Sequence, residues 1–211
     1  MTHTRKLLWQ GKIEGIQPRI RLTRSFDQQS HNYLGYALLI YGTISDNAGE
    51  FLIGIGKAAQ EKFRFRSGDV VSGESEPVAD KRKEPVGYYK TAKLKVVERA
   101  VDKEITSPPF LGVAPPLEIY RERGRRRLDT RTYSGKCISC IWGCNMPVEI
   151  IIDQWNPGKV KYRFETFCYG PKSCSYYHSG QIRKVPGRKG MVWIEEDWVD
   201  EDVTAQRGED E

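Results

Sequence analysis

Five cysteines within one short stretch are the residues of this chain whose types and spacing most clearly indicate chemistry. They are spaced as Cys137-x2-Cys140-x3-Cys144 and Cys168-x5-Cys174, and none occurs elsewhere. Thiolates in pairs are typical ligands of a tetrahedral metal ion such as zinc. An odd number of thiols also argues against a simple disulfide framework. We therefore predict a metal site formed by these cysteines, with Cys144 as the most dispensable of the five.

The segment between the two cysteine groups is predicted to form a β-hairpin. Residues 147–155 and 160–167 alternate in polarity, and Asn-Pro-Gly-Lys separates them. A hairpin would bring its ends, and therefore both cysteine pairs, together. This arrangement resembles the zinc ribbon, in which cysteine pairs on two knuckles flank a hairpin. The second pair of this chain is separated by five residues, whereas a zinc ribbon normally has two. The resemblance implies a structural Zn²⁺ ion, because so small a hairpin cannot bury enough surface to fold alone.

The first cysteine group also supports a second interpretation. Cys137, Cys140 and Cys144 form a tight triplet that suits three corners of an iron–sulfur cluster such as [4Fe-4S]. In that case the chain would be a redox protein. His178, four residues after the last cysteine, is a further candidate ligand if Cys144 and Cys168 are not both used.

The part of the chain before the cysteines has the pattern of a small β-barrel. Strands are predicted at 16–24, 33–45, 51–56 and 88–98, and residues 65–73 are predicted to form a turn that leads into a further strand. A short helix is predicted at 57–63, after the third strand. This order resembles an oligonucleotide/oligosaccharide-binding (OB) fold. The predicted fold class is therefore mainly β, with a five-stranded OB-like barrel followed by a small metal-bound hairpin module. The predicted divisions are a barrel at 1–104, a Pro/Arg-rich linker at 105–133, the cysteine module at 134–190 and an acidic tail at 191–211.

Charge is unevenly distributed along the chain. The net charge is +6, but from Glu195 onward nine acidic residues face one arginine, so this tail carries −8 and the rest +14. A basic body is typical of proteins that bind nucleic acid, here single-stranded nucleic acid or RNA, because no helix looks like a major-groove reader. The tail is a candidate contact for a protein partner, or a clasp for the basic surface. The candidate phosphate-binding residues are Arg19, Arg21, Arg24, Lys62, Arg64, Arg66, Arg125, Arg126 and Arg127.

Sequence patterns of enzymes are weak in this chain. It has three histidines and contains no G-x-S-x-G, no phosphate-binding G-x-x-x-x-G-K-[ST] loop and no H-E-x-x-H. We therefore expect a non-catalytic protein, and a cytoplasmic one because the cysteines suggest a reducing compartment and no signal-peptide pattern is seen. The rival interpretations are an iron–sulfur redox protein and an accessory subunit of a larger assembly.

Overall fold

The computed structural model describes residues 6–101, 105, 107–156 and 158–208, and its fold is mainly β. Long alternating segments form the strands, because one face of each can then be buried. The strands are β1 (Leu7–Arg24), β2 (Gln29–Ile44), β3 (Asn47–Ile55), β4 (Val70–Pro77), β5 (Tyr88–Glu98), β6 (Arg126–Arg127), β7 (Gly143–Ile151), β8 (Val160–Cys168), β9 (Arg183–Pro186) and β10 (Val192–Glu195). The helices are α1 (Lys57–Phe63), α2 (Leu117–Arg123), α3 (Thr130–Thr132, followed by a π-helical turn at Tyr133–Cys137) and α4 (Asp197–Val203).

Five strands form a ring within the sheet. Strand β1 pairs antiparallel with both β2 and β4, β2 pairs with β3, β4 with β5, and β3 closes the ring through a parallel contact with β5. The helix predicted at 57–63 is present between β3 and β4. The alternation predicted in β1 is also confirmed, because Ile20 and Leu22 are fully buried while Arg19 and Arg21 lie on the opposite face.

The cysteine-containing hairpin extends the same sheet. Strands β7 and β8 form the predicted antiparallel hairpin, and β7 pairs in parallel with residues 22–24 of β1. The segment predicted as a linker contains α2 and the short strand β6, which pairs with β8. The ring and the hairpin are therefore joined by strand pairing as well as by the chain between them.

The acidic tail is packed against the rest of the fold as far as the described residues extend. Strand β10 pairs with β9, and α4 follows it directly. Arg207 lies beyond α4 and is buried, with its guanidinium donating to the carbonyl oxygens of Arg123, Gly124 and Gly170. The tail is thus part of the folded structure at least through residue 207.

Candidate functional site

Four of the five cysteines border one small cavity. Cys137, Cys140 and Cys168 are buried and Cys174 is half-buried, and none forms a disulfide bond. The cavity between them has a volume of about 10 Å³. Its other walls are mainly apolar and aromatic, and they include Pro108, Pro109, Phe110, Trp142, Tyr176 and Tyr177. The fold therefore places both cysteine pairs on the wall of one cavity, despite the five-residue spacing of the second pair.

Burial favours the protonated form of the Cys137 and Cys140 thiols. Burial is the main cause that raises the pKa of Cys137 to about 12 and that of Cys140 to about 11. Within the described ranges, no three or more histidine, cysteine, aspartate or glutamate side chains are grouped as metal ligands would be. Neutral thiols have no charge to draw them around a common centre, whereas a metal ion deprotonates the thiols that it binds. The thiols therefore share a cavity without standing in ligand geometry.

Backbone amides are directed at two of these sulfurs. The Gly170 N–H donates to Cys168 Sγ at 3.4 Å, and the Arg126 guanidinium also acts to lower the pKa of Cys168, although burial outweighs both and raises it. Amide groups of Trp142 and Phe110 act in the same lowering direction on the pKa of Cys140. Donors of this kind stabilise the thiolate form, which is the form that binds a metal.

Gln17 of β1 fixes the first cysteine turn to the ring. Its Nε2 donates to the carbonyl oxygens of Cys137 and Cys140 at 2.8 and 3.1 Å, while its Oε1 accepts from the Tyr133 hydroxyl at 2.7 Å. A Cβ at Gly143 would lie 2.6 Å from the Cys137 carbonyl oxygen, and one at Gly15 would lie 2.5 Å from the Ser139 backbone. Glycine at both positions therefore allows the turn to pack directly on β1.

The other two candidate ligands lie elsewhere. Cys144 is fully buried in the main core, where its Sγ donates to the Pro18 carbonyl oxygen at 3.5 Å, and it does not line the four-cysteine cavity. Burial raises the pKa of its thiol to about 12. His178 is exposed and does not line the cavity either. The structure thus groups four cysteines and separates Cys144 and His178 from them.

The arginine run at 125–127 is buried, contrary to its expected exposure as a phosphate-binding patch. Arg127 is fully buried, and it donates to both carboxylate oxygens of Asp200, to the Glu195 carbonyl oxygen and to Asp197. The Arg126 guanidinium stacks 3.8 Å from the Tyr177 ring centroid. Arg125 lies 5.0 Å from the ring centroid of Phe167. These cations bind groups of the same chain, because an unpaired buried charge would be costly.

Arg24, on β1, is also buried, and like Arg127 it contacts Glu195 of the tail. Its Nη1 lies 3.1 Å from Glu195 Oε2 and 3.7 Å from Glu165 Oε2. Nearby, burial and then the positive charges of Arg125 and Arg24 lower the pKa of His31 to about 3. Glu195 therefore neutralises part of a buried cluster of positive charge.

The remaining predicted phosphate contacts divide into paired and exposed residues. Arg19 and Arg21 both bind Glu84, at 2.8 and 2.7 Å, so the β4–β5 connection covers them. Lys62 and Arg64 are exposed at the end of α1, and Arg66 is half-buried. Among the aromatic residues of β2 and of the segment after α1, Tyr36 and Phe65 are in the core and Phe63 packs against it, while Tyr41 is exposed. Only Lys62 and Arg64 among the nine predicted cations are exposed on the surface.

A groove of about 370 Å³ beside the hairpin module was not predicted from the sequence. Four basic and two acidic side chains line it, and Phe164 and Ile182 expose apolar surface. Arg163 and Arg183 are paired with the buried Glu165. Arg131 and Lys184 are exposed and have no salt bridge among the residues that the structure describes. The ionisable residues lining the groove are Arg131, Arg163, Arg183, Lys184, Asp129 and Glu165.

Comparison with known proteins adds no identification. The chain matches no protein-family model, no curated protein and no solved structure. Among the described helices, none has the length and apolar character needed to span a membrane.

Proposed function

We propose that this protein is a non-catalytic nucleic-acid-binding protein that is stabilised by a structural zinc ion. The zinc part rests on the convergence of Cys137, Cys140, Cys168 and Cys174 on one cavity. The nucleic-acid part rests on the basic groove that lies beside the hairpin module. In finer detail, we propose that the ring β1-β2-β3-β5-β4, with α1 between β3 and β4, is an OB-like barrel and that the hairpin module is zinc-ribbon-like.

The size of the cavity favours a single ion over a cluster. A volume of about 10 Å³ accommodates about one water-sized group. A [4Fe-4S] cluster has eight core atoms, so the walls would have to separate before it could enter. Four thiolates around one ion give the closed tetrahedral set of structural zinc sites. Zinc held there would join the turn at Cys137–Cys140 to the end of β8.

The groove has the side-chain types that bind single-stranded nucleic acid. Exposed cations contact phosphates, and an exposed aromatic ring stacks on a base without selecting its sequence. Arg131 and Lys184 are the exposed cations, and Phe164 is the exposed ring, with 44% of its surface accessible. The groove lining carries a net charge of +2. In contrast, most of the cations that the sequence predicted as phosphate contacts are buried or paired with carboxylates of the fold.

Metal analysis tests the zinc part of the proposal. We expect purified protein prepared anaerobically to contain about one equivalent of zinc and no sulfide, because one four-thiolate site binds one ion. Replacement of any one of the four cavity cysteines by serine should lower this content, whereas Cys144→Ala should not. Iron with sulfide in comparable amounts would instead establish the cluster, and equal metal loss at all five cysteines would refute the four-ligand assignment.

Salt titration tests the nucleic-acid part of the proposal. Each phosphate contact contributes about −0.7 to the slope of log K against log salt for a single strand. The double variant Arg131→Gln/Lys184→Gln should therefore flatten the slope for a single-stranded oligonucleotide by about 1.4 if both residues contact phosphates. The matched control is Lys62→Gln/Arg64→Gln, which removes the same charge from the end of α1.

The result of this pair of variants is decisive for the location of the interface. Flattening by the groove variant alone supports the groove. Flattening by the control alone would assign the contact to the barrel surface predicted from the sequence. No measurable binding of single-stranded DNA or RNA at low salt would refute the nucleic-acid function and favour an assembly subunit.

A further inference from the structure

The tail and the β1–β2 connection border an open aromatic pocket. It has a volume of about 440 Å³, and its lining is more apolar than polar. Trp193 of β10 and Trp198 of α4 form one wall, with their rings edge-to-face and their centroids 6.1 Å apart. Both remain accessible, with 36% and 51% of their surface exposed. Exposed tryptophan faces in a concave site are unusual on a surface that has no ligand, since such faces are commonly used for binding.

The opposite wall is held in place by local contacts. Phe26 packs against Gly187, where a Cβ on the glycine would lie only 2.9 Å from the Phe26 Cβ. The Ser25 hydroxyl donates to Asp27 at 2.8 Å and accepts from the Gln28 N–H at 3.2 Å. The turn is therefore defined by its own contacts, and the pocket is formed before any ligand binds.

The charges around the pocket favour a cation. Its ionisable lining residues are Arg24, Asp27, Glu195 and Asp202, which together carry −2. Arg24 and Glu195 are paired at 3.1 Å and belong to the buried cluster of positive charge described above. Asp27 and Asp202 are exposed, and neither has a salt bridge to another described residue. The exposed charge at the pocket is therefore negative and lies beside the two tryptophan rings.

We propose that this pocket binds a lysine or arginine side chain from a basic segment of a partner protein. Tryptophan is the best aromatic partner for a cation, which is attracted to the negative face of the ring. The carboxylates of Asp27 and Asp202 would add attraction at the mouth, and the apolar lining would contact the methylene groups of a long side chain. A nucleic acid would be repelled by the same carboxylates. This site is separate from the basic groove and does not depend on the proposed nucleic-acid function.

Peptide binding by the full chain tests this inference. We expect a penta-arginine or penta-lysine peptide to quench the tryptophan fluorescence and to bind measurably by calorimetry, while penta-glutamate does not. Trp198→Leu and Trp193→Leu keep an apolar side chain but remove the indole face. Each should weaken binding about two- to fivefold, which corresponds to about 0.5–1 kcal/mol for an exposed cation–π contact. Asp202→Asn should also weaken binding, by about twofold.

The control variants are Tyr41→Leu and Asp46→Asn, which change an exposed aromatic and an exposed carboxylate on the β2–β3 hairpin. They should leave peptide affinity unchanged. Unchanged affinity in both tryptophan variants would overturn the proposal, as would equal binding of an uncharged apolar peptide. Dimerisation of the free chain that is abolished by Trp198→Leu would show that a second copy fills the pocket, and would also overturn it.

Discussion

The contact between Arg127 and the acidic tail allows a quantitative test of how the tail is held. Arg127 is fully buried, and Asp200 accepts two of its hydrogen bonds, at 3.1 Å from the backbone N and 3.0 Å from Nε. We predict that Asp200→Ala destabilises the fold strongly. The variant leaves a buried guanidinium with part of its charge uncompensated, which typically costs about 3–5 kcal/mol.

The expected loss of stability in Asp200→Ala comes from leaving Arg127 without its partner. It does not mean that the intact Arg127–Asp200 pair contributes a large net stabilisation. Burial raises the pKa of Asp200 in spite of the neighbouring Arg127, so desolvation offsets much of the attraction between them. Replacing both partners by apolar residues, as in Arg127→Met/Asp200→Leu, should therefore recover at least about 2 kcal/mol relative to Asp200→Ala. Full recovery is not expected, because the backbone N–H of Arg127 loses its carboxylate acceptor.

Chemical denaturation measures these free energies of unfolding, and limited proteolysis reports whether the tail is released. Asp202→Ala is the matched control, because Asp202 is an exposed aspartate of the same helix and its loss should change stability by less than about 0.5 kcal/mol. A loss below about 1 kcal/mol for Asp200→Ala would refute the argument. It would show that the Arg127 guanidinium becomes hydrated when the tail detaches, so that no unpaired charge stays buried.

Three further predictions concern Cys144, the turn at Cys137–Cys140 and the half-buried His31. Cys144→Ala should lower thermal stability, because it opens a cavity in the core, yet leave the zinc content unchanged. Gln17→Leu should weaken zinc affinity about 10- to 100-fold in a chelator competition, whereas Gln10→Leu, an exposed glutamine on the same strand, should not. For His31, the folded pKa of about 3 lies below the unfolded value near 6.5, so the unfolded chain takes up the proton first. Stability that is present at pH 7 is therefore lost as the pH falls, by up to about 2 kcal/mol between pH 7 and 5, and His31→Gln should remove that part of the dependence in denaturation curves.

Local patterns predicted much of the fold. The alternation of β1, the helix at 57–63 and the hairpin of β7 and β8 depend on residues close together in the chain, and each is present. The four cysteines expected at the ends of the hairpin line one cavity, since a hairpin brings its own ends to the same side, but their role as metal ligands stays a prediction, as does the metal itself.

Long-range pairing could not be predicted in the same way. The clustering of Arg125, Arg126 and Arg127 suggested an exposed patch, because only Glu122 and Asp129 are acidic among their neighbours in the sequence. Their partners in the fold include Asp200, which is 73 residues away from Arg127. The opposite charges of body and tail were visible, but not which carboxylate would meet which arginine. The basic groove was missed for the same reason, since Arg131 and Lys184 come together only through tertiary structure.

The distance along the chain between Arg127 and its carboxylates has a consequence for the order of folding. Strands β1 to β5 pair within the first 98 residues and can close their ring early during synthesis. Arg127 must wait until Asp200 has been made before its charge can be buried. Loop closure over so many residues is slow and entropically costly. We therefore expect the arginines beside the cysteine turn to stay in water until the tail packs against them, so that the packing of this half of the molecule is completed last.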